Sequence, residues 1–217
     1  MQNINTVIFD MDGVVVDGMP YHIKSWKEAL STIDMHVSDL EIYLMEGMTG
    51  RETMEAFAEK SCISIPDETA DKIIKLKRKI FNDIFTVTLI KGIKNLLLEL
   101  KDRQYNLALV TGTRLEVVKK VLQAGLENIF EVIVTGEMVN RGKPNPEPYL
   151  KAVNELKVTK GDCIVIENAP AGITSAKSAG LTCIAVQTSL PEEYLQAADK
   201  VFKDIESVSK YLLNSSY

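Results

Sequence analysis

The stretch Val7-Ile8-Phe9-Asp10-Met11-Asp12-Gly13-Val14-Val15-Val16-Asp17 joins an apolar, β-branched run to two carboxylates one residue apart, with a glycine behind them. It reads as a buried strand that delivers acidic groups to its C-terminal edge, where open α/β sheets bind their ligands. Asp10 and Asp12 have the two-residue spacing that points side chains the same way near a strand end. Clustered acids repel one another unless a cation, a proton or a hydrogen-bond donor offsets the repulsion. The pair therefore points to a metal-dependent reaction centre. A plain turn competes with this reading, because Asp-x-Asp-Gly is also good turn chemistry. A calcium-binding loop does not, since it needs glycine sixth and glutamate twelfth. Counted from Asp10, glycine is fourth and Tyr21 is twelfth.

Outward from this strand the pattern changes. From about Met19 to Thr88 the spacing is helical, with Ile23, Trp26, Ala29 and Leu30 on one face. A second stripe runs through Ile73, Ile74, Leu76, Ile80, Phe81 and Ile84, and the region shows no buried strand. This predicts a small all-helical insertion. Strand and helix patterns then alternate: strands at Leu107 to Thr111, Val132 to Thr135, Cys163 to Ile166 and Thr182 to Val186. Helices are expected near Leu115 to Ala124, Pro146 to Leu156 and Ala171 to Ala179, with Gly125 and Gly180 suited to left-handed helix ends. Such alternation predicts an α/β fold: a Rossmann-like parallel sheet core flanked by helices, with the helical cap inserted after the first strand. The expected division is residues 1–17 and 88–217 for the core and 18–87 for the cap. An unstructured tail is expected only in the last few residues, Asn214 to Tyr217.

A chain of 217 residues that is 46% hydrophobic can bury one substantial core with a smaller inserted unit. Its net charge of -5 comes without a basic block, which excludes nucleic acid as a partner class. The apolar runs are too short for a membrane span, and no signal-type segment opens the chain. Cys62, Cys163 and Cys183 are too far apart for a disulfide framework or a zinc site. Cys163 and Cys183 adjoin strand-like runs and read as buried thiols. A reducing cytoplasm is the expected location.

Three more segments fall at predicted strand ends or beside them. Val110-Thr111-Gly112-Thr113 closes a strand with hydroxyls and accessible amides suited to an anionic oxygen. Gly142-Lys143-Pro144-Asn145-Pro146 sets one lysine in a proline-braced loop, and Val165-Ile166-Glu167-Asn168 ends a strand in two oxygen-bearing side chains. Each alone is commonplace, but their order and phase together are not.

Asp-Met-Asp-Gly-Val-x-x-Asp, Thr111, Lys143 in Gly-Lys-Pro-Asn-Pro-Glu-Pro, and Glu167-Asn168 resemble the four motifs of the haloacid dehalogenase superfamily. The resemblance covers nearly the whole chain. Pro20-Tyr21-His22, Trp26 and Gly47-Met48-Thr49-Gly50-Arg51 are similar to the beta-phosphoglucomutase-like phosphatases within it. The resemblance implies Asp10 as the nucleophile, giving an aspartyl phosphate, and Asp12 as the acid and base. It also implies Thr111, with Gly112 and its neighbour Thr113, on the phosphoryl oxygens, and Lys143 as their counter-charge. Mg²⁺ would be held by Asp10, the Asp12 carbonyl, Glu167 and Asn168, an all-oxygen set that suits this ion.

The mutase-like pattern usually has Glu-Asp where this chain has Glu167-Asn168, so an amide replaces a charged ligand. In the cap, His22, Glu46 and Arg51 are the expected substrate contacts, with Arg114 as a further anion contact. Arg51 has an alternative partner in Glu55. Glu46 stands where mutase-type loops tend to carry lysine, and would repel a bare distal phosphate or reach the Mg²⁺ shell. Gly18 replaces a hydroxyl-bearing residue common in mutases. These departures favour a Mg²⁺-dependent phosphohydrolase acting on a small phosphorylated metabolite or pyrophosphate. A beta-phosphoglucomutase is the alternative.

Overall fold

A computed structural model describes residues 4–214. The order is β1 (Thr6–Phe9), α1 (Met19–Ser31), α2 (Asp39–Leu44), α3 (Gly50–Lys60), α4 (Asp67–Ile84), α5 (Ile93–Asp102) and β2 (Asn106–Val110). Then follow α6 (Leu115–Leu122), β3 (Val132–Val134), α7 (Glu147–Leu156), β4 (Cys163–Glu167), α8 (Pro170–Ser178), β5 (Thr182–Val186), β6 (Lys200–Phe202) and α9 (Ile205–Asn214). The six strands found among the described residues form one parallel sheet in the order β3-β2-β1-β4-β5-β6. This is the expected α/β fold.

Alternation along β1 decides the layering. Val7 and Phe9 face one side, packed with Leu96, Leu97 and Val118 of α5 and α6 and Val208 of α9. Ile8 faces the other, with Tyr149 of α7 and Ile173 of α8. Both faces are covered by helices, so the central strands read as continuous apolar runs. Register then sets the edge: Phe9 pairs with Leu109 on one side and Ile166 on the other. The residues just beyond, Asp10, Val110-Thr111 and Glu167-Asn168, emerge together. Chain order reverses about β1, since β2 lies on one side and β4 on the other, and the switch-point crevice opens there.

Helices α1 to α4 form the cap around a cluster of their own, including Met19, Trp26, Leu30, Ile42, Met54, Phe57 and Ile73. Both the Ile23–Leu30 face and the Ile73–Phe81 stripe belong to it, although Phe81 reaches the core cluster. Capping boxes start α2 and α3, with Ser38 against Glu41 and Thr49 against Glu52. Their S/T-x-x-E signature is visible in the sequence. Two chain crossings tie cap to core: the Asp17 N–H donates to the Thr88 carbonyl at 2.8 Å and the Ile90 N–H to that of Val15 at 3.0 Å.

Gly125 and Gly180 adopt the expected left-handed conformation, at φ 87° and 76°. Cys163 and Cys183 are fully buried, and Cys62 is exposed. The strand β6 has no counterpart in the sequence reading: Lys200–Phe202 is a three-residue edge with a half-exposed face, too short to show alternation. Asn214, expected in the tail, closes α9, and the rest of that expected tail, 215–217, lies outside the described residues. Among the described residues no helix is long and apolar enough to cross a membrane.

Candidate active site

The sheet edge and the cap enclose a cavity of about 540 Å³. Asp10, Asp12, Thr111, Gly112 and Thr113 line it from the core, and His22, Glu46 and Lys77 from the cap. Beside Asp10, Lys143 is almost fully buried and donates to Asp10 Oδ1 at 2.5 Å, Glu167 Oε1 at 2.7 Å and the Val110 carbonyl at 3.2 Å. Burial opposes its charge, but Asp10 and Glu167 more than restore it and hold the ammonium well above the usual lysine range. Burial also raises Asp10, against the lowering by Lys143.

Glu167, expected as a cation ligand, lies among protein donors. Its Oε1 accepts from Lys143 and from the Tyr149 hydroxyl at 2.6 Å, and its Oε2 accepts the Asn168 N–H at 3.0 Å. Both oxygens thus accept from protein donors, and the carboxylate anchors Lys143. Gly172 makes room for it: a Cβ there would lie 1.7 Å from Glu167 Oε1.

Among the described residues four buried side-chain oxygens have no hydrogen-bond partner: Asp10 Oδ2, Asp12 Oδ1, Glu46 Oε2 and Asn168 Oδ1. Buried polar atoms are nearly always paired, so an orphan cluster marks a place built for a group that is not protein. Asn168 explains its own orphan, because its Nδ2 donates to Glu46 Oε1 at 2.9 Å and Ser189 Oγ at 2.7 Å. That pairing turns Oδ1 away from the protein donors. Glu46, expected to contact substrate or to reach the Mg²⁺ shell, lines the cavity and lies against Asn168, and burial, then Asp10, raise its pKa well above the carboxylate range. The donor set of three acidic or amide side chains fits a hard divalent cation.

Asp12 is held differently. Its Oδ2 accepts from the Thr113 hydroxyl at 2.9 Å, and its Oδ1 lies 3.3 Å from His22 Nε2 without an aligned hydrogen bond. Burial pushes it up, but His22, Thr113 and Lys77 outweigh that and leave its pKa lowered. Gly18 is required by this placement, since a Cβ there would sit 1.9 Å from Asp12 Oδ1. His22 stacks on Phe81, with centroids 4.4 Å apart, and its Nδ1 is 2.8 Å from Lys77 Nζ. Burial lowers Lys77 to about 7.

Lys77 was missed in the sequence because α4 is rich in lysines that look like a solvated face. The signal was its spacing: three residues after Ile74 and four before Phe81, it falls on the buried stripe. Tyr149, Ser189 and Glu52 were missed as well, each being recognisable only by its partner in space. Arg51 is not brought to the cavity. It pairs with Asp67 at 3.0 Å and Asp71 at 2.7 Å, both on α4, and not with Glu55. Arg114 lines the outer cavity and pairs with Glu137.

The sequence model for haloacid dehalogenase-like hydrolases matches residues 7–186. The chain is 28% identical over 220 residues to the beta-phosphoglucomutase of Bacillus subtilis, covering 99% of this chain and 96% of that one. It is 30% identical over 183 residues to the phosphorylated carbohydrates phosphatase of Thermotoga maritima, covering 82% of each. Among solved structures, CbbY from Rhodobacter sphaeroides in complex with phosphate superposes with a TM-score of 0.79 at 26% identity, over 94% of this chain and 96% of that one. Sheet order, inserted helices and acidic edge thus accord with the sequence match along nearly its full length. The chain is an enzyme of the haloacid dehalogenase-like hydrolase family, in its beta-phosphoglucomutase-like subgroup.

Proposed function

We propose that this enzyme is a Mg²⁺-dependent phosphohydrolase that acts on a small phosphorylated metabolite or pyrophosphate through an aspartyl phosphate on Asp10. The observation that carries this reading is Asp10 itself, with one oxygen held by Lys143 and the other buried without a partner at the cavity wall. A carboxylate oxygen of Asp10 bonds to phosphorus as the bond to the leaving oxygen breaks, and Asp12 gives that oxygen its proton. Water then attacks the phosphoryl group, Asp12 takes the water proton, and phosphate leaves with Asp10 restored as a carboxylate.

Asp12 stands ready as the base in the described state, since its pKa is lowered. For the acid half of the cycle, the charge of an adjacent phosphate dianion favours its protonated form. Thr111 Oγ1 accepts the Thr113 N–H at 3.0 Å, which leaves its own O–H for a phosphoryl oxygen beside the Gly112 amide. Lys143 supplies the fixed positive charge below. Asp10, the Asp12 carbonyl, Asn168 and Glu46 would hold Mg²⁺, with Glu46 supplying the charge that Asn168 lacks. When bound, the ion neutralises the clustered acids and the phosphoryl oxygens. Residues 18–87 act as the cap that selects the leaving group and excludes water, over a core of 1–17 and 88–217.

The test is phosphate release with Mg²⁺ across sugar phosphates, polyol phosphates, nucleotides and pyrophosphate, with Asp10→Asn as control. Beta-glucose 1-phosphate is also followed for glucose 6-phosphate, with and without a bisphosphate activator. Release that disappears in Asp10→Asn supports the proposal. Isomerisation without net release overturns it in favour of a mutase, the activity for which the Bacillus subtilis relative is named.

A further inference from the structure

The loop that carries Lys143 is held by two carboxylates, one from the core and one from the cap. Glu147, in the first turn of α7, accepts the Asn140 N–H at 2.7 Å and the Arg141 N–H at 3.0 Å. The next amide, Gly142, is buried and points elsewhere. Its N–H donates to Glu52 Oε1 at 3.0 Å, and it has no other acceptor among the described residues. Glu52 belongs to the cap. Its Oε2 is already occupied in the capping box of α3, accepting the Thr49 N–H at 2.9 Å and the Thr49 hydroxyl at 2.6 Å. One carboxylate thus closes a cap helix and holds the core amide directly before Lys143.

The surrounding contacts leave little room for another arrangement. A Cβ on Gly142 would lie 2.5 Å from Glu52 Oε2 and 2.7 Å from Thr49 Cγ2. A Cβ on Gly47 would lie 2.8 Å from Lys143 Cδ, and one on Gly112 would lie 2.7 Å from the Gly47 carbonyl. The cap loop therefore packs closely against both phosphate-side loops, with its backbone on Gly112 and its Gly47 on the Lys143 side chain, and the glycines permit that approach. The buried Gly142 amide is satisfied when the cap is seated and loses its acceptor when the cap lifts, unless water replaces it.

We propose that Glu52 is a positioning residue: it latches the cap onto the Gly142 amide and thereby couples cap closure to the setting of the Lys143 loop. Because its acceptor is charged, the latch shifts the balance of seated to lifted cap by about tenfold or more. Lys143 is then fully positioned only under a closed cap, which links phosphate neutralisation to the exclusion of water. The inference depends on the seated cap and not on the identity of the substrate, so its central measurement stands even if the phosphohydrolase reading fails.

That measurement is hydrogen exchange at the Gly142 amide by NMR, on the full chain. The amide is expected to be protected in the unaltered protein, and Glu52→Ala is expected to reduce that protection by about tenfold. Glu52→Gln, which keeps an oxygen for Gly142, should restore part of it. Thr49→Ala separates latch from helix cap: it should lower stability as a lost cap does and leave Gly142 protected. With p-nitrophenyl phosphate, Glu52→Ala should raise KM several-fold and change kcat less, since bound substrate itself draws the cap shut. If Glu52→Ala does not fold, Gly142→Ala takes its place, because its Cβ forces the cap away with the Thr49–Glu52 pair intact, and KM should rise likewise. The proposal is overturned by an unprotected Gly142 amide in the unaltered protein, by undiminished protection in Glu52→Ala, by equal loss in Thr49→Ala, or by an unchanged KM in Gly142→Ala.

Discussion

Replacing Glu167 with glutamine separates the two roles this residue can have, anchor of Lys143 or ligand of a cation. The side chain is 1% exposed and its Oε1 accepts from both Lys143 and Tyr149. Glutamine keeps the shape and one acceptor oxygen but removes the charge, leaving the buried ammonium with Asp10 as its only carboxylate partner. Breaking a buried ion pair from one side costs about 3–5 kcal/mol. Glutamine's remaining acceptor and the surviving Asp10 contact place the expected loss at the lower end, about 3 kcal/mol. For a chain of this size each kcal/mol moves the melting temperature by about 2–4 °C, so the variant should melt about 6–12 °C lower. The assay is thermal unfolding in EDTA, where no divalent cation contributes, paired with the Mg²⁺ concentration for half-maximal phosphate release. An anchor predicts the melting loss, a lower kcat and a Mg²⁺ requirement within about threefold of the parent. A melting temperature unchanged in EDTA together with a Mg²⁺ requirement raised tenfold or more (~1.4 kcal/mol) would refute the anchor and make Glu167 a ligand.

The same site yields two further expectations. Asn168→Asp, judged from the sequence alone, should tighten Mg²⁺ binding by adding a charge. In the structure the new carboxylate would stand against Glu46 Oε1, now 2.9 Å from the amide nitrogen, and a cation bound between the two relieves their repulsion. Calorimetric Mg²⁺ titration should show tighter binding in Asn168→Asp and a smaller gain in Asn168→Asp with Glu46→Gln; unchanged or weaker binding in the single variant would refute the charge argument. Glu46 also governs pH dependence. Its folded pKa is raised above the ordinary 4.5, first by burial and then by Asp10. The folded state therefore binds the proton more tightly than the unfolded chain, so this stability is complete below about pH 4.5 and is lost as pH rises through the folded value. In metal-free buffer, the melting temperature of Glu46→Gln relative to the parent should climb as pH rises above 4.5, and a pH-independent difference would remove Glu46 from this account.

Much of the chain could be read without coordinates, because its signals are local and repeated. Val7 to Phe9 must be a buried strand wherever it sits, since a β-branched apolar run has no stable exposed form. Ile23, Trp26, Ala29 and Leu30 select one helical face by spacing alone. Alternating strands and helices leave a parallel sheet as the consistent solution, and a parallel sheet gathers strand ends at one edge. Asp10, Thr111 and Asn168 were therefore assignable to a common site before their distances were known. Lys77, by contrast, sits on a helix crowded with lysines, and only the spacing of Ile74 and Phe81 distinguishes it.

Periodicity and chain connectivity were enough to set the elements, the order in which they alternate and the acidic edge at which they end. The tertiary structure alone decided how the polar groups at that edge share one another. Glu167 turned to Lys143 and Tyr149, Glu46 met Asn168, Arg51 was drawn to Asp67 and Asp71, and Glu52 reached from the cap to Gly142. Each of these pairings joins residues distant in the chain, and each depends on a hydrogen bond whose strength falls away within about an ångström and beyond a narrow angle. Local propensity carries no information at that precision. The close packing of cap against core does, because it leaves each of these groups a single set of partners within reach.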